Sequence, residues 1–149
     1  MPVRGPDLTV RPTPHSSELL LMVSADHPYA EQDTICLEDL GDCTVVEGQS
    51  IPSYMEEVFN PRHTPSGHPI RRGPKVTTWL ETLSVVSSGQ ATTAVTAEVA
   101  DFCAWPSLAF VPIRDAPFCQ WSFVWRTSNE TPLIRALARA AADVHRPAG

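Results

Sequence analysis

No apolar run in this chain approaches the roughly 20 residues that a bilayer-spanning helix needs. The longest, Leu19–Val23, suits a strand instead. The first residues, among them Pro2, Arg4, Gly5, Pro6 and Asp7, hold none of the apolar core of a signal peptide. A cytoplasmic location without membrane contact is therefore expected. Lysine is nearly missing: ten arginines stand against the single Lys75, which reads as biased codon use. The formal charge is −6, and the one dense basic cluster is Arg71, Arg72 and Lys75. Nucleic-acid binders usually carry a basic stripe, so no direct nucleic-acid contact is expected from this chain.

The signatures of catalysis are also missing. There is no G-x-S-x-G nucleophile elbow, and Ser87-Ser88-Gly89 reads as a helix end. No C-x-x-C joins Cys36, Cys43, Cys103 and Cys119, so a cysteine zinc site is not expected. Reduced, partly buried thiols are expected instead. His27 and His145 lie far in sequence from any cysteine that they could activate. His63 and His68 sit in a Pro-rich loop that offers no visible support for a metal ligand. The acid pairs Glu38-Asp39 and Glu56-Glu57 occupy adjacent positions, which point in different directions on a helix. No enzyme activity, metal or cofactor is expected.

What is present is ordinary globular material. The chain has 149 residues, 42% hydrophobic and 19% charged, enough for one domain with a core. The 15 prolines cluster, and Pro2, Pro6, Pro12 and Pro14 keep the first segment extended. Leu8–Val10 reads as a short strand and Glu18–Ser24 as a buried one. Asp26 or His27 can cap a single turn through Ala30, with Pro28 at its first helical position. A strand end and helical turn follow over Thr34–Leu40, then a strand over Cys43–Val46. Ser53-x-x-Glu56 predicts a capping box, and its helix stops at Asn60-Pro61. Residues 60–74 read as a long loop before the sheet resumes at Lys75–Thr77.

Gly73–Val99 carries the clearest pattern. Thr78-x-x-Glu81 is a second capping box, with Trp79, Leu80, Leu83 and Val86 on one helical face. Gly89 supplies the stop. Ala91–Val95 has the small and β-branched residues of a central parallel strand, and Thr96 is read as the cap of a helix through Phe102. Strands follow at Leu108–Pro112 and Gln120–Trp125. Thr131-Pro132 opens a last helix that is expected to bury Leu133 or Ile134, then Leu137, Ala141 and Val144. Alternating strands and helices imply an α/β fold with a mostly parallel sheet covered on both faces. Helix starts at Ser53, Thr78 and Thr96 then follow strands of one sheet. Their hydroxyls and free N–H groups suit a small polar molecule such as a carboxylate.

The order A-D-H-P-Y-A, I-C-L-E-D-L, T-W-L-E-T-L-S-V-V-S-S-G, A-E-V-A, L-A-F-V-P-I-R-D-A-P and F-V-W-R, closed by a helix, resembles the effector-binding domain of LysR-type transcriptional regulators. The loop T-P-S-G-H-P-I-R-R-G-P is similar to one branch of that family. The resemblance implies a type 2 periplasmic-binding-protein-like fold with a truncated first subdomain. It implies that residues 1–24 are a remnant of that subdomain, residues 25–117 the second subdomain, and residues 118–149 the return with the C-terminal helix. It places Thr77, Thr78 and Thr96 at cleft-facing helix starts, with Val3 and Arg4 on the crossing segment; Ser53, a third helix start, and Trp79, next to Thr78, are read as ligand contacts beside them. It implies a small-molecule effector, DNA binding by a domain outside this sequence, and a homodimer. Ser87-Ser88 and Gln90-Ala91-Thr92-Thr93 are more polar than the family's pattern at those positions. The truncation is expected to uncover the last helix and the Glu18–Ser24 strand, and so to favour dimerisation. A solute-binding module of a transport system with the same two-lobed fold is the alternative.

Overall fold

The structure, a computed structural model, describes residues 5–143. Their order is β1 (Leu8–Ser17), β2 (Leu19–Ser24), a 3-10 turn (Leu37–Asp42), β3 (Thr44–Gly48), α1 (Ser53–Phe59), β4 (Arg71–Val76), α2 (Trp79–Ser87), β5 (Thr93–Thr96), α3 (Glu98–Phe102), β6 (Leu108–Pro112), β7 (Cys119–Arg126), a second 3-10 turn (Thr127–Asn129) and α4 (Pro132–Asp143). No helix among the described residues is long and apolar enough to cross a membrane. The chain divides after Ser17 and after Pro117 into two units, the middle segment forming one and the flanking segments the other.

The middle unit, Glu18–Pro117, is built on β2. All six residues of β2 are buried, and β5 and β6 flank it, both antiparallel to it. Strand side chains alternate between faces, so a fully buried strand must be covered on both. Leu20 and Met22 pack with Val46, Val76, Leu83, Val86 and Val95 on the side that α2 covers. Leu19, Leu21 and Val23 point the other way and are just as buried. β3 and β4 run parallel, and a parallel bridge from Val45 to Thr92 joins them to the residue before β5. The resulting order is β4-β3-β5-β2-β6. Four of these strands share one direction, and β2 alone opposes them. The expected mostly parallel α/β sheet is present, with β2 as its exception.

Several local expectations are corrected here. β2 lies inside the 1–24 segment read as a first-subdomain remnant, yet it is the central strand of the middle unit and keeps its cover on both faces. β4 begins at Arg71, four residues before the expected strand, so the preceding loop is shorter. Its Gly73 packs closely against β3, where an added Cβ would lie 3.0 Å from Thr44 Cγ2. Thr96 ends β5 and caps nothing; Ala97 stands at the N-cap of α3, with no side-chain bond. In α2 the capping box forms as expected, but only part of the predicted face is buried. Leu83 and Val86 are inside, whereas Trp79 and Leu80 are 46% and 68% exposed. Gly89 ends the helix at φ +76°, its N–H donating to the Val86 carbonyl at 2.9 Å.

The flanking unit is a two-stranded antiparallel ribbon of β1 and β7 with α4 beside β1. β1 is far longer than the expected Leu8–Val10, and its register slips between Pro12 and Ser16. Pro12 and Pro14 lack the N–H that a regular ladder needs there. The Trp121 indole N–H donates to Ser17 Oγ at 2.6 Å, and that of Trp125 to Glu130 Oε2 at 3.0 Å. Thr131 caps α4 as expected, accepting the Ile134 N–H at 3.3 Å. The expected burial of this helix is not found. No described residue of α4 is buried; Leu133 and Leu137 are 79% and 59% exposed, and Ile134 and Ala141 are half-buried. Val144, expected on the same face, lies outside the described residues.

Candidate functional site

In an open α/β sheet, ligands bind outside the carboxyl ends of the parallel strands. The pairing in the middle unit brings three such ends side by side. Gly48 at the end of β3 is in register with Val76 at the end of β4, and Gln49 N–H donates to the Val76 carbonyl at 2.9 Å. β5 lies on the other side of β3 and ends at Thr96. Thr77 and Thr78 therefore follow β4, residues 49–53 follow β3, and Thr96 closes β5, all on one edge. Ser53, Thr77, Thr78 and Trp79 are exposed there, and Thr96 is half-buried. Sequence spacing could not supply this neighbourhood, because Ser53 and Thr78 are 25 residues apart in the chain. Val3 and Arg4 lie outside the described residues.

The start of α2 is already partly occupied. Glu81 Oε2 accepts the Thr77 N–H at 2.7 Å and the Thr78 N–H at 3.1 Å, while Thr78 Oγ1 accepts the Glu81 N–H at 3.2 Å. The Thr77 and then the Thr78 backbone bonds hold the Glu81 carboxyl below its ordinary pKa. This helix start thus carries its own carboxylate. What it offers a ligand is the Thr77 hydroxyl, the proton of the Thr78 hydroxyl, and the Trp79 and Leu80 N–H groups that helix geometry leaves without partners inside the helix.

Ser53 is a different case. The predicted capping box is not formed: Pro52 holds the N-cap position without a side-chain bond, and Ser53 is the first helical residue. Glu56 instead turns inward and accepts Gly48 N–H at 2.9 Å. The S-x-x-E pattern misled because a half-buried arginine, Arg72, competes for the same carboxylate, donating from Nη2 at 2.8 Å. Nothing in the local spacing carries that information.

A second cluster escaped the sequence reading. Thr64, Ser66 and His68 close a tight turn around the Glu38 carboxylate. Thr64 Oγ1 donates to it at 2.9 Å and Ser66 N–H at 3.1 Å, and the Ser66 hydroxyl also bonds it. Mainly through the Ser66 hydroxyl, these donors hold the Glu38 carboxyl at a pKa of about 2. His68 Nδ1 lies 2.6 Å from Ser66 Oγ and 3.3 Å from Glu38 Oε1. Serine, histidine and acid are the residue types of a hydrolytic triad, but the geometry is not. In a triad the hydroxyl and the acid bond opposite ring nitrogens, whereas here both address Nδ1. The cluster fastens the loop. The alternating T-x-S-x-H pattern was the available signal. Elsewhere, the cap between Asp26 and His27 is resolved: His27 Nδ1 accepts the Tyr29 N–H at 3.1 Å. None of the four cysteines is in a disulfide, and burial pushes the Cys43 thiol up to about 11, which leaves it a poor nucleophile. No cluster of metal-ligand side chains occurs among the described residues.

Residues 1–146 match the sequence model of a family described as LysR substrate binding domain. A comparison with curated proteins finds no match. Among solved structures, a full-length variant of BenM superimposes with a TM-score of 0.72 at 18% identity, covering 100% of this chain and 52% of that one. CbnR, a LysR family transcriptional regulator, gives a TM-score of 0.72 at 22% identity, with 94% of this chain and 50% of that chain covered. The BenM effector binding domain with its effector benzoate gives 0.69 at 18% identity, covering 97% and 66%. At these identities the likeness establishes the fold. The chain spans about half the length of the full-length regulators that it resembles.

Proposed function

From the premise that the chain belongs to the LysR substrate binding domain family, we propose that it is the effector-sensing part of a LysR-type transcription regulator. A small molecule, in our reading a carboxylate, is held at the edge formed by the ends of β3, β4 and β5. The observation that carries this reading is the register of Gly48 with Val76, which sets the exposed Thr77 and Thr78 hydroxyls beside the 49–53 corner. The donors are neutral hydroxyls and backbone N–H groups, which suits recognition of a small oxygen-rich anion without a buried counter-charge. The family's benzoate-bound member supports the ligand class as an analogy. The regulators named above favour this reading over the solute-transport one.

The sensor works by differential binding: effector changes the population of conformations, and a DNA-binding domain outside this sequence converts that change into DNA affinity. The part described here contacts no nucleic acid and catalyses nothing, and the protein works in the cytoplasm. A homodimer is expected, carried by the exposed Leu133 and Leu137 of α4. Calorimetric titration with benzoate, salicylate and short aliphatic carboxylates tests the ligand class. The Thr77→Val, Thr78→Val double variant, which removes hydroxyls at constant shape, is expected to weaken binding at least about tenfold. Equal affinity in the double variant, or binding of none of these acids, would overturn the assignment of the site.

A further inference from the structure

Glu56, 7% exposed, is the only buried charged side chain among the described residues. Its Oε1 accepts Gly48 N–H at 2.9 Å and Arg72 Nη2 at 2.8 Å, and its Oε2 accepts Asn60 Nδ2 at 3.3 Å. Arg72 Nη1 donates to the Asn60 carbonyl at 2.8 Å, and the Thr93 hydroxyl donates to Asn60 Oδ1 at 2.9 Å. One carboxylate thus ties α1 to the end of β3, to β4 and, through Asn60, to β5. Arg72 Nε is buried within this network without a partner.

Stability alone is a poor account of this arrangement. Burying an ion pair costs as much as its attraction returns unless every remaining donor is satisfied, and here one is not. An apolar pair of similar volume would hold α1 to the sheet as well. What the network does is specify a direction. α1 has no side-chain cap at its start, so between the Gln49 N–H bond to the Val76 carbonyl and the Pro52 N-cap no side chain of the corner itself holds the turn from β3 into the helix. Glu56 fixes it from inside by gripping Gly48, the last residue of β3. Gly48 itself is shaped for this grip. A Cβ there would lie 2.6 Å from Glu56 Oε2 and 3.2 Å from Ile51 Cγ1, so only glycine lets the carboxylate and Ile51 close on it together.

We propose that Glu56 is a positioning residue for the 49–53 corner, setting the geometry of the β3 end at the effector edge through its bonds to Gly48 and Arg72. This rests on the proposed effector edge for its consequence, but not for its structural content. Hydrogen exchange of the whole chain tests it in Glu56→Ala, Glu56→Gln and Gly48→Ala, each alongside a benzoate titration. Glu56→Ala and Gly48→Ala, one from each side of the grip, are expected to raise exchange at residues 48–53 about tenfold and to leave β2 and β6 protected. Glu56→Gln, whose amide oxygen still accepts the Gly48 N–H, recovers most of that protection. Benzoate affinity follows the same order, about tenfold weaker in Glu56→Ala and largely restored in Glu56→Gln. A uniform rise in exchange that includes β2 makes Glu56 merely structural and overturns the proposal. So does unchanged exchange at residues 48–53, or an unchanged benzoate affinity in Glu56→Ala. If the unaltered chain binds neither benzoate nor any of the other carboxylates titrated, the effector reading is what fails, and exchange at residues 48–53 decides the role of Glu56. Should Glu56→Ala not fold, Gly48→Ala and Glu56→Gln carry the same test.

Discussion

The two units of this chain use similar residues to opposite effect. In the middle unit, β2 is apolar at five of six positions and every one is buried. In the flanking unit, β7 and α4 are also rich in apolar residues, yet Trp121, Leu133 and Leu137 are all more than 40% exposed. Layer number accounts for the difference. A sheet with helices against it can bury both faces of its central strand. A two-stranded ribbon with one helix has too few layers to do so.

The largest expected effect comes from breaking this contrast directly. Leu21→Ala, inside the sheet, should cost about 2–5 kcal/mol and lower Tm accordingly. Leu137→Ala on α4 should stay within about 0.5 kcal/mol in dilute solution, where the chain is monomeric and this face is open. A large loss at Leu137 in thermal unfolding would mean that the face is covered in solution, and sedimentation of Leu133→Glu, Leu137→Glu would then show the dimer lost.

A second contrast sets the two S/T-x-x-E motifs against each other. Thr78→Ala removes a formed cap and should destabilise by about 1 kcal/mol. Ser53→Ala removes no cap and should be nearly silent in urea unfolding. Equal losses would break the structural distinction between them.

The two pH responses are smaller and lie in different windows. His27 accepts a bond at Nδ1, and burial lowers its pKa from 6.5. The unfolded chain therefore takes up that proton first. The stability it contributes is complete above pH 6.5 and declines as pH falls below it. A Tm profile from pH 5 to 8 should show this slope, and His27→Asn should flatten it. Glu38 behaves as a depressed carboxylate. Its contribution is complete above an ordinary value of 4.5 and is lost as pH falls toward about 2. The Ser66 amide resonance should titrate in that range, and Glu38→Gln should abolish the titration.

Much of the fold was legible because it rests on short-range signals. The β2 apolar run, the Thr78-x-x-Glu81 box, the Gly89 stop and the Thr131-Pro132 start each declare themselves within a few residues. The misreadings share another origin. Thr96 looks like a cap, but the β5 ladder claims it; Leu133 and Leu137 look like core, but no layer among the described residues meets them. Of the candidate site, the hydroxyls were visible by residue type. Their neighbourhood was not, since it depends on the register of Gly48 with Val76.

By itself, then, the sequence determined the alternation of strands and helices and the buried strand at the centre. Periodicity, caps and stops act over a few bonds, so they can be read from neighbours in the chain. The tertiary structure alone decided that Glu56 turns inward to Arg72, that Glu38 gathers Thr64, Ser66 and His68, and that three strand ends share one edge. Each of these depends on which distant group competes for a donor or an apolar face, and that competition is settled only when the chain is packed.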